Sequence, residues 1–120
     1  MNKILKENIE AVKELCENHH IKHLYAFGSV TDQSFSNESD IDLLYEFDYG
    51  NFNINTDPIA QIPFDPFLEF NSLKEKMEDL FGRKVDLIPL QKFRNPIFRD
   101  KVEQTKILVY GGERYQEVFA

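Results

Sequence analysis

At 120 residues, with 42% hydrophobic residues, one cysteine and a formal charge of −7, the chain has room for one compact domain over 1–120 and not for two. That composition excludes a disordered chain, which needs low hydrophobicity, and the lone Cys16 cannot close an internal disulfide, which points to a reducing compartment. The acidic balance opposes direct nucleic-acid binding, which Lys and Arg drive by neutralising phosphates.

Residues 3–18 read as an amphipathic helix, because Leu5, Ile9, Val12 and Cys16 recur at helical spacing between Lys and Glu. The same stretch lacks the apolar core of a signal peptide. No apolar run approaches the roughly 20 residues that cross a bilayer, so a soluble, cytoplasmic protein is expected. IKHLYAF at 21–27 is rich in β-formers and stops at Gly28, which predicts a strand. DIDLLYEF at 40–47 alternates: Ile41, Leu43, Tyr45 and Phe47 share one face, Asp40, Asp42 and Glu46 the other. Leu44 interrupts the polar face. Residues 48–64 show no period and read as a long loop or insertion.

Asp65-Pro66 is an N-cap followed by Pro at the first helical position. Phe70, Leu73, Met77 and Leu80 give that helix a buried stripe, and Gly82 ends it. KVDLIPL at 84–90 is a third strand. Asn95-Pro96 opens a short helix, and ILVY at 107–110 is a short strand or a helix end. The order predicts an α/β or α+β sheet with helices packed against it.

Two features carry chemistry. Asp40 and Asp42 stand at i and i+2 in a strand, so both carboxylates share a face and repel unless a cation sits between them. Carboxylate oxygens are preferred Mg²⁺ ligands; the alternative is an edge strand with a solvated acidic face. Upstream, Gly28 permits a tight turn and close backbone approach, and Ser29 adds a hydroxyl donor at a place where free N–H groups meet an anion. The alternative there is an ordinary β-turn.

Gly28-Ser29, ten intervening residues, then Asp40-Ile41-Asp42, bracketed by strands and followed by Asp86 in KVDLIPL, resembles the signature of the DNA polymerase β-like nucleotidyltransferases. The short chain is similar to the minimal nucleotidyltransferase (MNT) branch, the antitoxin of HEPN/MNT toxin–antitoxin pairs. The resemblance implies a nucleotidyltransferase fold with a small mixed sheet packed against helices. It implies two Mg²⁺ ions held by Asp40, Asp42 and Asp86, and a nucleoside triphosphate, ATP, held at Gly28 and Ser29. It implies transfer of AMP to a hydroxyl of a HEPN-domain protein. Two other readings follow from the same resemblance: an antitoxin that blocks its partner by contact alone, and transfer to a small molecule, as in aminoglycoside-modifying relatives.

One departure bears on the phosphate side. Many relatives carry an Arg just after Gly-Ser, whereas this chain has Val30-Thr31-Asp32, and no Lys or Arg lies between Lys22 and Lys74. A cation for the triphosphate must come from Arg83, Lys84 or the segment 92–101, and Asp32 would repel phosphate if it pointed inward. Weaker signals have structural readings: His19, His20 and His23 as a helix terminus rather than a zinc site, Cys16 as core, and Phe64, Phe67, Phe70 and Phe81 as core rather than adenine-stacking rings. Tyr110 and Tyr115 are candidate modification or interface residues.

Overall fold

The structure, a computed structural model, describes residues 2–32 and 34–112. Its elements follow the expected order, with one addition. The N-terminal helical stretch is two helices, α1 Lys3–Glu7 and α2 Ile9–Asn18, because Asn8 leaves helical geometry (φ −111°, ψ 8°) and its side chain donates to the Ile4 carbonyl. An Asn that bonds its own backbone competes with the helix ladder. Strand β1 covers Ile21–Phe27 and β2 covers Ile41–Phe47. Helix α3, Pro66–Phe81, begins at Asp65, whose carboxylate accepts the N–H groups of Phe67 and Leu68, and ends at Gly82 with φ 67°. Strand β3 is Val85–Pro89, helix α4 is Pro96–Thr105 and strand β4 is Ile107–Tyr110. ILVY is therefore a strand, and Tyr115 lies outside the described residues. Residues 48–64 hold one short 3-10 turn, Ile59–Gln61.

The sheet is mixed, in the order β3-β2-β1-β4. β1 runs antiparallel to both β2 and β4, while β2 and β3 run parallel. Period-2 alternation divides its side chains between two covers. On one face, Leu24, Ala26, Ile41, Leu43 and Val85 meet Val12 and Cys16 of α2 and Leu73 and Met77 of α3, all buried. On the other face, Phe27 and Leu44 pack beneath Val102 of α4, with Phe98 edge-on to Phe27 at 5.7 Å. The apolar Leu44 on the acidic face is thus explained: α4 covers it. Burial of a Leu side chain contributes about 1.5–3 kcal/mol, which favours α4 seated across the sheet near the acidic residues.

The histidines have separate partners. His19, at the end of α2, donates Nδ1–H to the Leu15 carbonyl, and its Nε2 lies 3.2 Å from Ser72 Oγ on α3. His20 stacks on Phe64 at 4.4 Å, and His23 Nδ1 meets Glu46 Oε1 at 2.7 Å. Burial pushes the Cys16 thiol up to about 12, so it behaves as an inert core residue. Of the four Phe taken as core, Phe81 is buried, Phe64 and Phe70 are partly so, and Phe67 is 77% exposed because it falls on the solvent side of the first turn of α3.

Candidate active site

Parallel pairing of β2 with β3 sets Asp42 opposite Asp86 in register. Both face the α4 side, because each follows a residue, Ile41 or Val85, that is buried on the other side. α4 covers Leu44 but stops short of fully covering Asp42, which is left half-buried. Burial, then the like charge and the hydrogen bond of Asp86, raise the Asp42 carboxyl from its usual 3.8 to about 6; Lys101 partly offsets this, and Asp40 adds to it.

Asp40 lies just before β2. Lys84 Nζ stands 3.9 Å from Asp40 Oδ2 and 3.8 Å from Asp86 Oδ1, so one ammonium bridges the two carboxylates. The loop that delivers Asp40 is fixed by Arg83, which donates to the carbonyls of Ser36 (3.0 Å) and Ser39 (3.1 Å) and lies over the Phe35 ring. The two candidate cations at 83 and 84 thus take different work: one clamps a loop, the other sits among the carboxylates. Sequence reasoning could not separate them.

Gly28 opens a 3-10 turn, Gly28–Thr31, at the end of β1. Its φ is +74°, and a Cβ there would stand 2.7 Å from Asp42 Oδ2. Only glycine combines that backbone with that approach. Its N–H donates to Thr105 Oγ1 of α4 at 2.9 Å, so this donor is engaged. The Ser29 N–H lies in the first turn, where it has no partner along the helix, and the Ser29 hydroxyl has no hydrogen-bond partner among the described residues. Asp32 closes the turn, and its exposed carboxylate accepts the N–H and hydroxyl of Ser34, which hold its pKa down.

Among the described residues, no three His, Cys, Asp or Glu side chains converge closely enough to form a ready metal cage. The donor set nevertheless fits a hard cation. Its oxygens are all carboxylate, burial and then the like charge of Asp86 lift the Asp42 carboxyl, and a lysine ammonium already serves as counter-charge between Asp40 and Asp86. A cation would have to displace that ammonium. Of the predicted site residues, the fold brings Asp42, Asp86 and Gly28 into direct proximity, and links Asp40 through Lys84. Sequence reasoning missed Thr105 and left Lys101 unresolved within 92–101; Lys101 Cε would lie 3.7 Å from a Cβ on Gly28.

Comparison with known proteins follows the same line. The model of the family described as "Polymerase beta, Nucleotidyltransferase" matches residues 10–115. A Methanocaldococcus jannaschii chain named "Putative protein adenylyltransferase MJ1379" is 32% identical over 97 residues, covering 81% of this chain and 85% of its own length. A solved structure described as a "putative minimal nucleotidyltransferase" is 29% identical, with a TM-score of 0.60 and coverage of 89% of this chain and 95% of that one. A chain from the structure of a tri-AMPylated Shewanella oneidensis HEPN toxin in complex with MNT antitoxin shares the fold at 18% identity, with a TM-score of 0.54 over 96% of this chain and 79% of that one. No helix among the described residues is long and apolar enough to cross a membrane.

Proposed function

The chain belongs to the polymerase β nucleotidyltransferase family, and from that premise we propose that it is a protein adenylyltransferase of the MNT antitoxin type, moving AMP from ATP onto a hydroxyl of a HEPN-type toxin. The observation that carries this reading is the pairing of Asp42 with Asp86 directly against the glycine turn at Gly28. An acidic pair beside a glycine turn is of little use to a protein that acts by contact alone. The adenylyl donor and the HEPN acceptor rest on what the similar proteins are named for.

In this reading the triphosphate lies on the Gly28–Ser29 turn, with the Ser29 hydroxyl and N–H donating to its β- and γ-phosphates. Asp40, Asp42 and Asp86 would hold two Mg²⁺ ions, which would supply positive charge to the phosphate oxygens and lower the pKa of the acceptor hydroxyl. The acceptor oxygen forms a bond to the α-phosphorus as the bond from that phosphorus to the bridging oxygen breaks, and pyrophosphate leaves. Asp86 takes the hydroxyl proton. Charge shifts only among oxygens, so the chain contributes position and electrostatics rather than covalent chemistry.

The test is incubation of the chain with ATP, Mg²⁺ and a HEPN-domain protein, followed by intact-mass measurement of that protein. One or more added adenylyl groups are expected with the wild type and none with Asp42→Ala. Neutralisation of the toxin by both variants with no mass change would overturn the transfer reading in favour of contact alone.

A further inference from the structure

The Gly28–Ser29 turn has no basic neighbour in sequence, yet a triphosphate carries several negative charges that a nucleotide site must offset. We propose that Lys101, reaching over from α4, is the cation that neutralises the triphosphate on this turn. The inference rests on the nucleotidyltransferase reading and deepens it by naming the source of that charge.

Geometry singles out Lys101. Its Cε would lie 3.7 Å from a Cβ on Gly28, next to Asp42 Oδ2 at 2.7 Å from the same point. Thr105, one turn further along the same face of α4, accepts the Gly28 N–H at 2.9 Å and donates its hydroxyl to the Lys101 carbonyl at 2.6 Å. One side chain therefore ties the phosphate turn to the helical turn that bears the lysine. Val102, the neighbouring residue, is buried against the sheet and fixes the helix in rotation.

Arg83, Lys84 and Lys106 are engaged elsewhere, and Lys92, Arg94 and Arg99 line other cavities. Arg83 clamps the carbonyls of Ser36 and Ser39. Lys84 lies between Asp40 and Asp86, on the carboxylate side. Lys106 pairs with Glu103 at 3.3 Å and lies over the Tyr25 ring. Arg99 is about 200° around the helix from Lys101 and lines a separate cavity of about 350 Å³ with Lys92, Phe93 and Lys106. Lys101 has no ion pair within 4 Å among the described residues, and its charge is felt by both Asp42 and Asp32, which flank the turn. An exposed, unpaired ammonium aimed at a glycine turn with an unpartnered serine hydroxyl is built for an anionic ligand. A lysine on a separate helix also makes phosphate binding sensitive to how α4 is seated.

The experiment is calorimetric binding of the non-hydrolysable ATP analogue AMP-PNP, and of AMP, each with Mg²⁺, to the wild type and to Lys101→Gln, Lys101→Arg and Lys106→Gln. Thermal melting of each variant verifies folding. A charge-assisted contact accounts for roughly a tenfold change in affinity or more. Lys101→Gln should therefore weaken AMP-PNP roughly tenfold while leaving AMP little changed, because AMP lacks the β- and γ-phosphates. Lys101→Arg should keep most of the affinity, and Lys106→Gln all of it. AMP-PNP binding to Lys101→Gln at wild-type strength overturns the inference alone, and so does equal weakening of both nucleotides. A wild type that binds neither nucleotide overturns the nucleotidyltransferase reading together with it.

Discussion

Asp42→Asn removes the charge that the fold holds at greatest cost. Its carboxyl is raised from 3.8 to about 6 by burial and by Asp86. At 1.36 kcal/mol per tenfold change in proton affinity, this corresponds to about 3 kcal/mol. The side chain is half exposed, so solvent screening reduces the figure to about 1–2 kcal/mol. The folded state binds this proton more tightly than the unfolded chain does. The contribution to stability is therefore full below about pH 4 and is lost as the pH rises through about 6. Without divalent cations, Asp42→Asn should be more stable than the wild type by about 1–2 kcal/mol at pH 8, and the two should converge near pH 4. Urea unfolding at a series of pH values measures the difference. Added Mg²⁺ should reverse the ranking, because a ligand at 100 times its Kd stabilises the wild type by about 2.7 kcal/mol and leaves the variant unmoved. A variant less stable than the wild type at pH 8 without metal, or a difference that does not change with pH, refutes the account of Asp42 as a strained acidic residue awaiting a cation.

Two further substitutions probe the glycine turn. Gly28→Ala places a side chain at φ +74°, 2.7 Å from Asp42 Oδ2; the backbone term alone costs about 1–2 kcal/mol. Both urea stability and Mg²⁺-dependent stabilisation should fall. Thr105→Val keeps the side-chain shape but strands the Gly28 N–H, at a cost of about 1–3 kcal/mol. It should also weaken AMP-PNP binding in calorimetry by releasing the turn from α4; unchanged stability and affinity would show that the Thr105–Gly28 bond holds nothing in place.

The helix ends and the site's main elements were legible because each is local. Asp65-Pro66 and Gly82 carry their own capping geometry, and the strand that bears Asp42 needs only its two-residue alternation; Asp40 falls just before that strand. The break at Asn8 was not legible, since its cause is one side chain bonding back to Ile4 within an otherwise continuous apolar stripe. Leu44 stood out as an anomaly on the acidic face, and its reason lies in α4, more than fifty residues away. The same helix brings Lys101 and Thr105 to Gly28. That contact depends on how α4 crosses the sheet, which no local pattern encodes. Lys84 was one of several candidate cations until the register of β2 with β3 put it between Asp40 and Asp86. What sequence reasoning supplied was the carboxylates and the turn; the cations around them required tertiary structure.

The central claim is that Asp40, Asp42 and Asp86 with Gly28-Ser29 form one metal-dependent nucleotide site. Crystals grown with Mn²⁺ and a non-hydrolysable ATP analogue test it most directly, through anomalous scattering from the metal. The account predicts metal peaks in contact with Asp42 and Asp86, the triphosphate on the Gly28–Ser29 turn, and the Lys84 ammonium moved out from between Asp40 and Asp86. A metal or triphosphate bound elsewhere, with Lys84 still bridging the carboxylates, would contradict it.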